Sequence, residues 1–314
     1  MMQRKSRRRV YWPAAAMFAF LGVLLFTDFG IGKSLFIEEL LNFGHLPLFG
    51  VVALAILWMI RSGEFPGTNV KAYVKAGVLT MGIGFITEIL QFFTPGRFFQ
   101  ISDLVYDFLG ILTFLILVNP FPGRTGQIRN TVRGIAIGLI ALAAVPIGPA
   151  GMDTWAMKRE FPLISSFESP LEMMRWKEGE SVIMRVNSHS SDGDYALKVK
   201  LMPGTYPGIS LSYLVGDWEG YETLAFDVFL EGDTVLTMTV RVNDLEHNEE
   251  YTDRFNRGFS LIPGQNQVTI DLNEVKNAPK GREMDMMKIV NICIFAYKLE
   301  VERTVYFDYF RLEK

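Results

Sequence analysis

Five apolar stretches crowd the first 150 residues, near 11–28, 45–61, 73–93, 103–119 and 132–149. A bilayer core is matched by roughly 20 mostly apolar helical residues. A single-span reading fails, because four further apolar stretches would then need burial in water. The second and fourth runs are short, so their ends extend into the loops beside them. The basic cluster Arg4-Lys5-Ser6-Arg7-Arg8-Arg9 ahead of the first run resembles a signal peptide, but Thr27-Asp28-Phe29-Gly30-Ile31-Gly32-Lys33 is a poor small-residue cleavage site. The first run therefore reads as an uncleaved span. The expected fold class is multi-domain: an all-α transmembrane bundle of about five helices, then a unit of another kind.

Charge supports the division. Residues 1–150 carry 13 Lys+Arg and 7 Asp+Glu, a net of +6; residues 151–314 carry 18 and 27, a net of −9, together the −3 of the whole chain. Nothing in this pattern reads as a nucleic-acid surface. Lys and Arg also set orientation, since they collect on the cytoplasmic side. The N-terminus has five within nine residues; the second connection adds Arg61, Lys71 and Lys75, and the fourth Arg124, Arg129 and Arg133, whereas the opposite connections hold only Lys33 and Arg97. The N-terminus is expected to be cytoplasmic, and five crossings would place residues 151–314 outside a cell membrane.

That topology brings several polar residues to one depth, near the outer leaflet. His45 opens the second span, Glu88 and Gln91 end the third, Arg97 lies in the following loop, and Asp103 and Asp107 open the fourth. Glu88 and Gln91 are i,i+3 neighbours, Asp103 and Asp107 are i,i+4 neighbours, and Gly77 and Gly84 permit close helix approach on the Glu88 face. Ionisable groups at membrane depth cost about 2.5–3.5 kcal/mol each, so they face inward and find partners. Three readings stand open. Arg97 neutralises Glu88 or Asp103 and the cluster holds a hairpin together, or the outermost groups are simply hydrated at the interface, or the cluster is an outward-facing pocket that binds a headgroup or performs acid–base chemistry, with His45 and Glu88 titrating.

The string Glu88-Ile89-Leu90-Gln91-Phe92-Phe93-Thr94-Pro95-Gly96-Arg97, followed by Asp103, Asp107 and Gly110, resembles the signature of the VanZ-like membrane protein family, with His45 matching the histidine of an earlier helix. The resemblance covers about residues 10–120. Leu41-Asn42-Phe43-Gly44 stand where the family often has a Lys before that histidine, and Asp107 stands where Asn is common. The resemblance implies a bacterial cell envelope and a link to glycopeptide (teicoplanin) resistance; it identifies no reaction.

Beyond a linker at 151–161, residues 162–314 alternate with period 2. Strands are expected at 182–186, 196–201, 208–213, 224–229, 236–242, 267–272, 289–296 and 304–312, separated by Gly, Pro, Asn and Asp, which argues for an all-β jelly-roll sandwich. Cys293, the one cysteine, excludes an intramolecular disulfide and reads as a packed thiol in a buried strand. His189 and His247 read as isolated surface residues. The ordered strings Phe167-Glu168, Ala196-Leu197-Lys198-Val199, Trp218 to Val228, and Val305 to Leu312 resemble a galactose-binding-like carbohydrate-binding module. The resemblance implies a glycan or cell-wall polysaccharide as partner, and a structural calcium held by Glu168 and Asp308; calcium favours such hard oxygens. Sugar rings stack on flat apolar faces. Trp218 and Tyr221 precede a strand and are candidates for packing as well as for binding. Tyr251 and Arg254 lie in the long polar connection 243–257, the kind of loop that carries function.

Three functional classes follow: an envelope protein whose outer sandwich binds glycan, a membrane enzyme or lipid-handling protein using His45, Glu88 and Asp103, and a structural or protein-interaction module on an anchor. No nucleophile elbow, HExxH or phosphate loop supports the enzyme.

Overall fold

The structure, a computed structural model, describes residues 34–61, 70–93, 101–118 and 125–314, apart from the side chains of Gln91 and Phe92. It divides into two compact units, one running from Ile37 to Gly148 and one comprising Pro149 to Lys314 together with residues 34–36. The expected first span at 11–28 and the loop residue Arg97 lie outside the described residues.

The first unit is built on α1 (Leu35–Ile60), α2 (Val70–Phe92), α3 (Ile101–Leu117) and α4 (Gly126–Ala143). The helix expected at 45–61 begins ten residues earlier, because the pattern Leu35 to Leu41 is apolar enough to continue it and Pro47 is tolerated inside. Phe49, Val52, Ala53, Ile56 and Leu57 of α1 pack on Ala72, Tyr73 and Ala76 of α2 and on Ile111 and Leu115 of α3. Gly110 has no side chain to keep α3 off α1, and its Cα approaches the Leu46 carbonyl so closely that a Cβ would collide with it. Large apolar side chains also point outward: Val74, Val78, Phe85 and Ile86 on α2, and Ile135, Ile137 and Leu142 on α4. Each would cost roughly 1.5–3 kcal/mol to hold in water rather than in an apolar medium. By length and composition, three helical stretches among the described residues can cross a membrane: Leu35–Ile60, Val70–Leu90 and Gly126–Glu160. At 17 residues α3 is shorter than these.

The second unit opens with α5 (Ile147–Glu160), which corrects the linker expected at 151–161. Pro149 sits in the first turn, where a helix needs no N–H from it, and Ala150, Asp153 and Met157 form a buried i, i+3, i+7 face. Eleven strands follow: β1 (Leu163–Ser165), β2 (Trp176–Glu178), β3 (Ser181–Val186), β4 (Ala196–Leu201), β5 (Gly208–Leu211), β6 (Thr223–Leu230), β7 (Leu236–Asp244), β8 (Phe255–Leu261), β9 (Gly264–Asp271), β10 (Ile289–Phe295) and β11 (Arg303–Glu313), with α6 (Leu272–Lys276) after β9. They form two antiparallel sheets, β3-β4-β11-β6-β9 with β1 paired to β11, and β2-β5-β10-β7-β8. The alternating apolar residues of both sheets meet in one core. Phe226 stacks on Phe310 at 4.9 Å, and Trp176 lies 4.9 Å from Phe310. All eight expected strands are present. The part of the 243–257 connection from Phe255 onward is strand β8, whose partner is β7.

One buried ionic group ties α5 to the sandwich. Arg175 lies 3.2 Å from Asp153 and 3.3 Å from Glu172, and donates to the Ile164 carbonyl at 2.8 Å. Glu172 in turn accepts from the Ser165 hydroxyl and from the amides of Ser166, Phe167 and Ser169, so its charge is fully solvated by protein donors.

Candidate functional site

Two arrangements stand out, one in each unit. In the helical unit, His45 Nδ1 lies 2.9 Å from Asp107 Oδ1, and His45 Nε2 lies 3.9 Å from Asp103 Oδ2. The His45 ring stacks over Phe49, one turn along α1. Glu88 and Asp107 are 1% and 0% exposed. Gly84, one turn before Glu88 on α2, leaves the space that Asp107 Oδ2 fills; a Cβ there would stand 2.6 Å from that oxygen. The sequence placed these residues at one depth. The structure adds that the imidazole pairs directly with Asp107. An acid at 107 therefore has a defined role, to accept from or ion-pair with His45. The side chain of Gln91 and all of Arg97 lie outside the described residues.

In the β unit the outward face of the five-stranded sheet carries a second arrangement. Antiparallel register sets Lys177 opposite Ser210, Ser210 opposite Cys293, Cys293 opposite Arg241 and Arg241 opposite Asn256. Because strand side chains alternate, these five point to the same face and form one row across the sheet. A neighbouring row places Phe295 opposite Gly208 and Thr239. Gly208 is obligatory there, since a Cβ would run into Phe295. A cleft of about 410 Å³ opens over these rows, lined by Glu178, Tyr206, Ser210, Arg241, Arg254, Cys293 and Phe295, among others. Its walls are aromatic. Tyr206 stands edge-on to Phe295 at 5.6 Å and 5.4 Å from Tyr297; the Arg241 guanidinium lies 4.8 Å above Phe295, and that of Arg254 5.4 Å above Tyr251. Tyr206, Tyr251 and Tyr297 are exposed, Tyr251 at 67%.

The loop carrying Tyr251 is anchored rather than free. Arg282 donates to both oxygens of Asp244 at 2.6 and 2.8 Å and to Asp253 at 2.6 Å. Asp253 also accepts from the Asn248 amide, and His247 Nδ1 lies 2.8 Å from the Asp253 carbonyl. His247 is thus built into the loop, not isolated. The hydrogen bond from Arg282, foremost, holds the Asp253 carboxyl down at about 2. His189 is exposed as expected, but its ring stacks on Phe229 at 3.8 Å.

The structure separates the four ligand-binding candidates. Arg254 lines the cleft, and Tyr251 lies under its guanidinium. Trp218 is buried, donating its indole N–H to the Val215 carbonyl at 2.9 Å. Tyr221 packs edge-on against Phe161. These two border a different cleft, beside α6. Cys293 lies in the expected strand, but Ile292 and Ile294 take the core and the thiol faces the cleft floor. Burial there pushes its pKa up.

Glu168 and Asp308, the two calcium candidates, both reach the 190–195 loop. Glu168 Oε1 accepts from the amides of Asp194 and Tyr195, and Asp308 Oδ2 from those of Ser191 and Asp192. The Asp308 Oδ1 atom accepts from Tyr309. No group of three or more His, Cys, Asp or Glu side chains that could hold a metal occurs among the described residues. Both acids fasten the 190–195 loop.

Tyr206, Tyr297, Phe295 and Arg241 are not among the site residues the sequence suggests. Their only local signal is outward placement on a strand or beside one.

No protein-family model matches the chain, and no curated protein matches it. Solved structures similar to its C-terminal part include the family 11 carbohydrate-binding module from Clostridium thermocellum in complex with a β-1,3-1,4-mixed-linked tetrasaccharide, with a TM-score of 0.40 and 14% identity over 48% of this chain and 94% of that one. An exo-β-agarase gives 0.38 and 14% over 48% of this chain and 25% of that chain. The CBM22-1–GH10 modules of a C. thermocellum xylanase 10B, complexed with xylohexaose, give 0.35 and 16% over 48% and 28%.

Proposed function

We propose that this chain is a membrane-anchored glycan-binding protein of the cell envelope, its N-terminus cytoplasmic and its β unit outside. The observation that carries the reading is the outward face of the β2-β5-β10-β7-β8 sheet. Polar side chains stand in register across all five strands, flanked by exposed aromatic rings at one edge and by a pinned aromatic–arginine loop at the other. Rings that stack on sugars beside donors that meet hydroxyls make a polysaccharide the natural ligand, and the open cleft accepts an internal stretch of chain. The outward apolar side chains of α2 and α4 support the anchor. The test is binding of the full chain, in lipid nanodiscs, to a glycan panel that includes peptidoglycan fragments. Tyr206→Ala and Tyr251→Ala each lower affinity about tenfold; wild-type curves for both variants, or no binding to any glycan, end the reading.

One observation favours a second role for the helical unit. The direct His45–Asp107 pair beside buried Glu88 is a built polar site between apolar helices, suited to a lipid headgroup, and the VanZ-like motif points to the same residues. Glu88→Gln with Asp103→Asn, at normal expression, abolishes any tolerance to teicoplanin that the wild-type chain confers; unchanged tolerance removes this role.

A further inference from the structure

We propose that the glycan taken by this face is anionic, and that Arg241 and Arg254 grip a carboxylate or phosphate carried on the sugar chain. The inference rests on the glycan-binding reading and names its substrate class. The unit that forms the cleft is acidic, with 18 Lys+Arg against 27 Asp+Glu over residues 151–314. Yet two guanidinium groups line one cleft of about 410 Å³. Among the described residues neither meets a carboxylate. Arg241 gives its Nε–H to the neutral amide of Asn256 at 3.0 Å, and Arg254 Nε is buried with no hydrogen-bond partner. Glu178, the one acid in the lining, accepts instead from the Ile183 amide. The Cys293 thiol between them is no counter-ion either, since burial favours its neutral form.

Bringing like charges together in a half-buried site is unfavourable, and burial and the neighbouring Arg254 both push Arg241 below the usual guanidinium pKa. An oxyanion relieves that repulsion, while a neutral sugar would cover the pair without compensating it. Each guanidinium already lies on a ring, Phe295 or Tyr251, which fixes its plane and leaves donors at its edge, the geometry that recognises carboxylate and phosphate. A uronic-acid chain and a polyol-phosphate chain share this chemistry.

The experiment measures binding of the full chain in nanodiscs to oligogalacturonate, to its neutral methyl ester, to poly(glycerol phosphate) and to a panel of neutral glycans. Oligogalacturonate or poly(glycerol phosphate) binds at least tenfold more tightly than the methyl ester; which of the two does so identifies the source of the anion. Affinity for the anionic ligand falls with added salt, and Arg241→Gln and Arg254→Gln each cost about tenfold for that ligand, clearly more than they cost the methyl ester, with the thermal midpoint intact. Equal binding of acid and ester, insensitive to both variants, overturns the anionic assignment and leaves glycan binding standing. Binding of neutral glycans alone does the same. Failure of every glycan to bind overturns both.

Discussion

The two units place polar and apolar side chains in opposite ways. In the helical unit the surface carries Val78 at 66% exposure while Glu88 and Asp107 are sealed inside. In the sandwich Phe226, Phe307 and Phe310 fill the interior, and the outward rows hold Lys177, Ser210, Arg241 and Asn256. A chain ordered in one way throughout would imply one solvent. The inversion at Gly148–Pro149 is what the proposed membrane anchor requires, hydrocarbon around the helices and water around the strands. It also changes what a buried ion means. Arg175 lies between the buried carboxylates of Asp153 and Glu172, and Glu172 also accepts from backbone amides, whereas the His45–Asp107 pair lies between helices whose exteriors are themselves apolar.

The comparison can be broken by substitution, beginning with the largest effect. Arg175→Met leaves Asp153 and Glu172 buried without their cation and destabilises the sandwich by about 3–5 kcal/mol, measured by denaturant unfolding of the protein in detergent. Val78→Arg sharpens the contrast. If lipid covers α2 the change costs about 2.5–3.5 kcal/mol of insertion free energy, read as loss of membrane-integrated protein. In water the same change would stay within about 0.5 kcal/mol, as Thr237→Arg on the outward face of β7 is expected to do. Arg282→Met frees the loop that carries Tyr251 and Arg254 and lowers glycan affinity about tenfold by equilibrium titration.

The acid response of that loop has a definite sign. Asp253 is held at about 2, below its ordinary value, so its pairing with Arg282 stabilises fully above about pH 4 and is lost as pH falls toward 2. Near-neutral changes leave it untouched, and Asp253→Asn removes this acid dependence from a pH-melting series. The smallest effect concerns Cys293, whose raised pKa predicts slow alkylation at pH 7 by a soluble maleimide, accelerating on denaturation.

Much of the architecture was legible because it is written in short-range pattern. Apolar runs gave the helices, and alternation gave eight strands. The misreadings have local causes. Strand β8 has buried apolar residues only at its ends, Phe255 and Leu261, with Asn256, Arg257 and Gly258 between, so its alternation resembles a polar loop. Helix α5 was hidden by Pro149, which reads as a breaker unless it falls in a first turn. The sites were legible in part. The expected topology brought His45 and Asp107 to the same level across 62 residues, but not into contact. The cleft needs β10 between β5 and β7, which pairs Cys293 with both Ser210 and Arg241. No spacing in the sequence encodes that neighbourhood, so Arg241 and Phe295 became site residues only in three dimensions. Trp218 shows the converse, since a tryptophan beside a strand fits a core as well as a sugar.

The inversion of solvent is tested most directly by shaving intact cells with protease when an epitope tag follows Lys314. The account predicts that the tag and the sandwich are released from outside while a helical fragment stays in the membrane. A tag that is protected until the cells are lysed would contradict it.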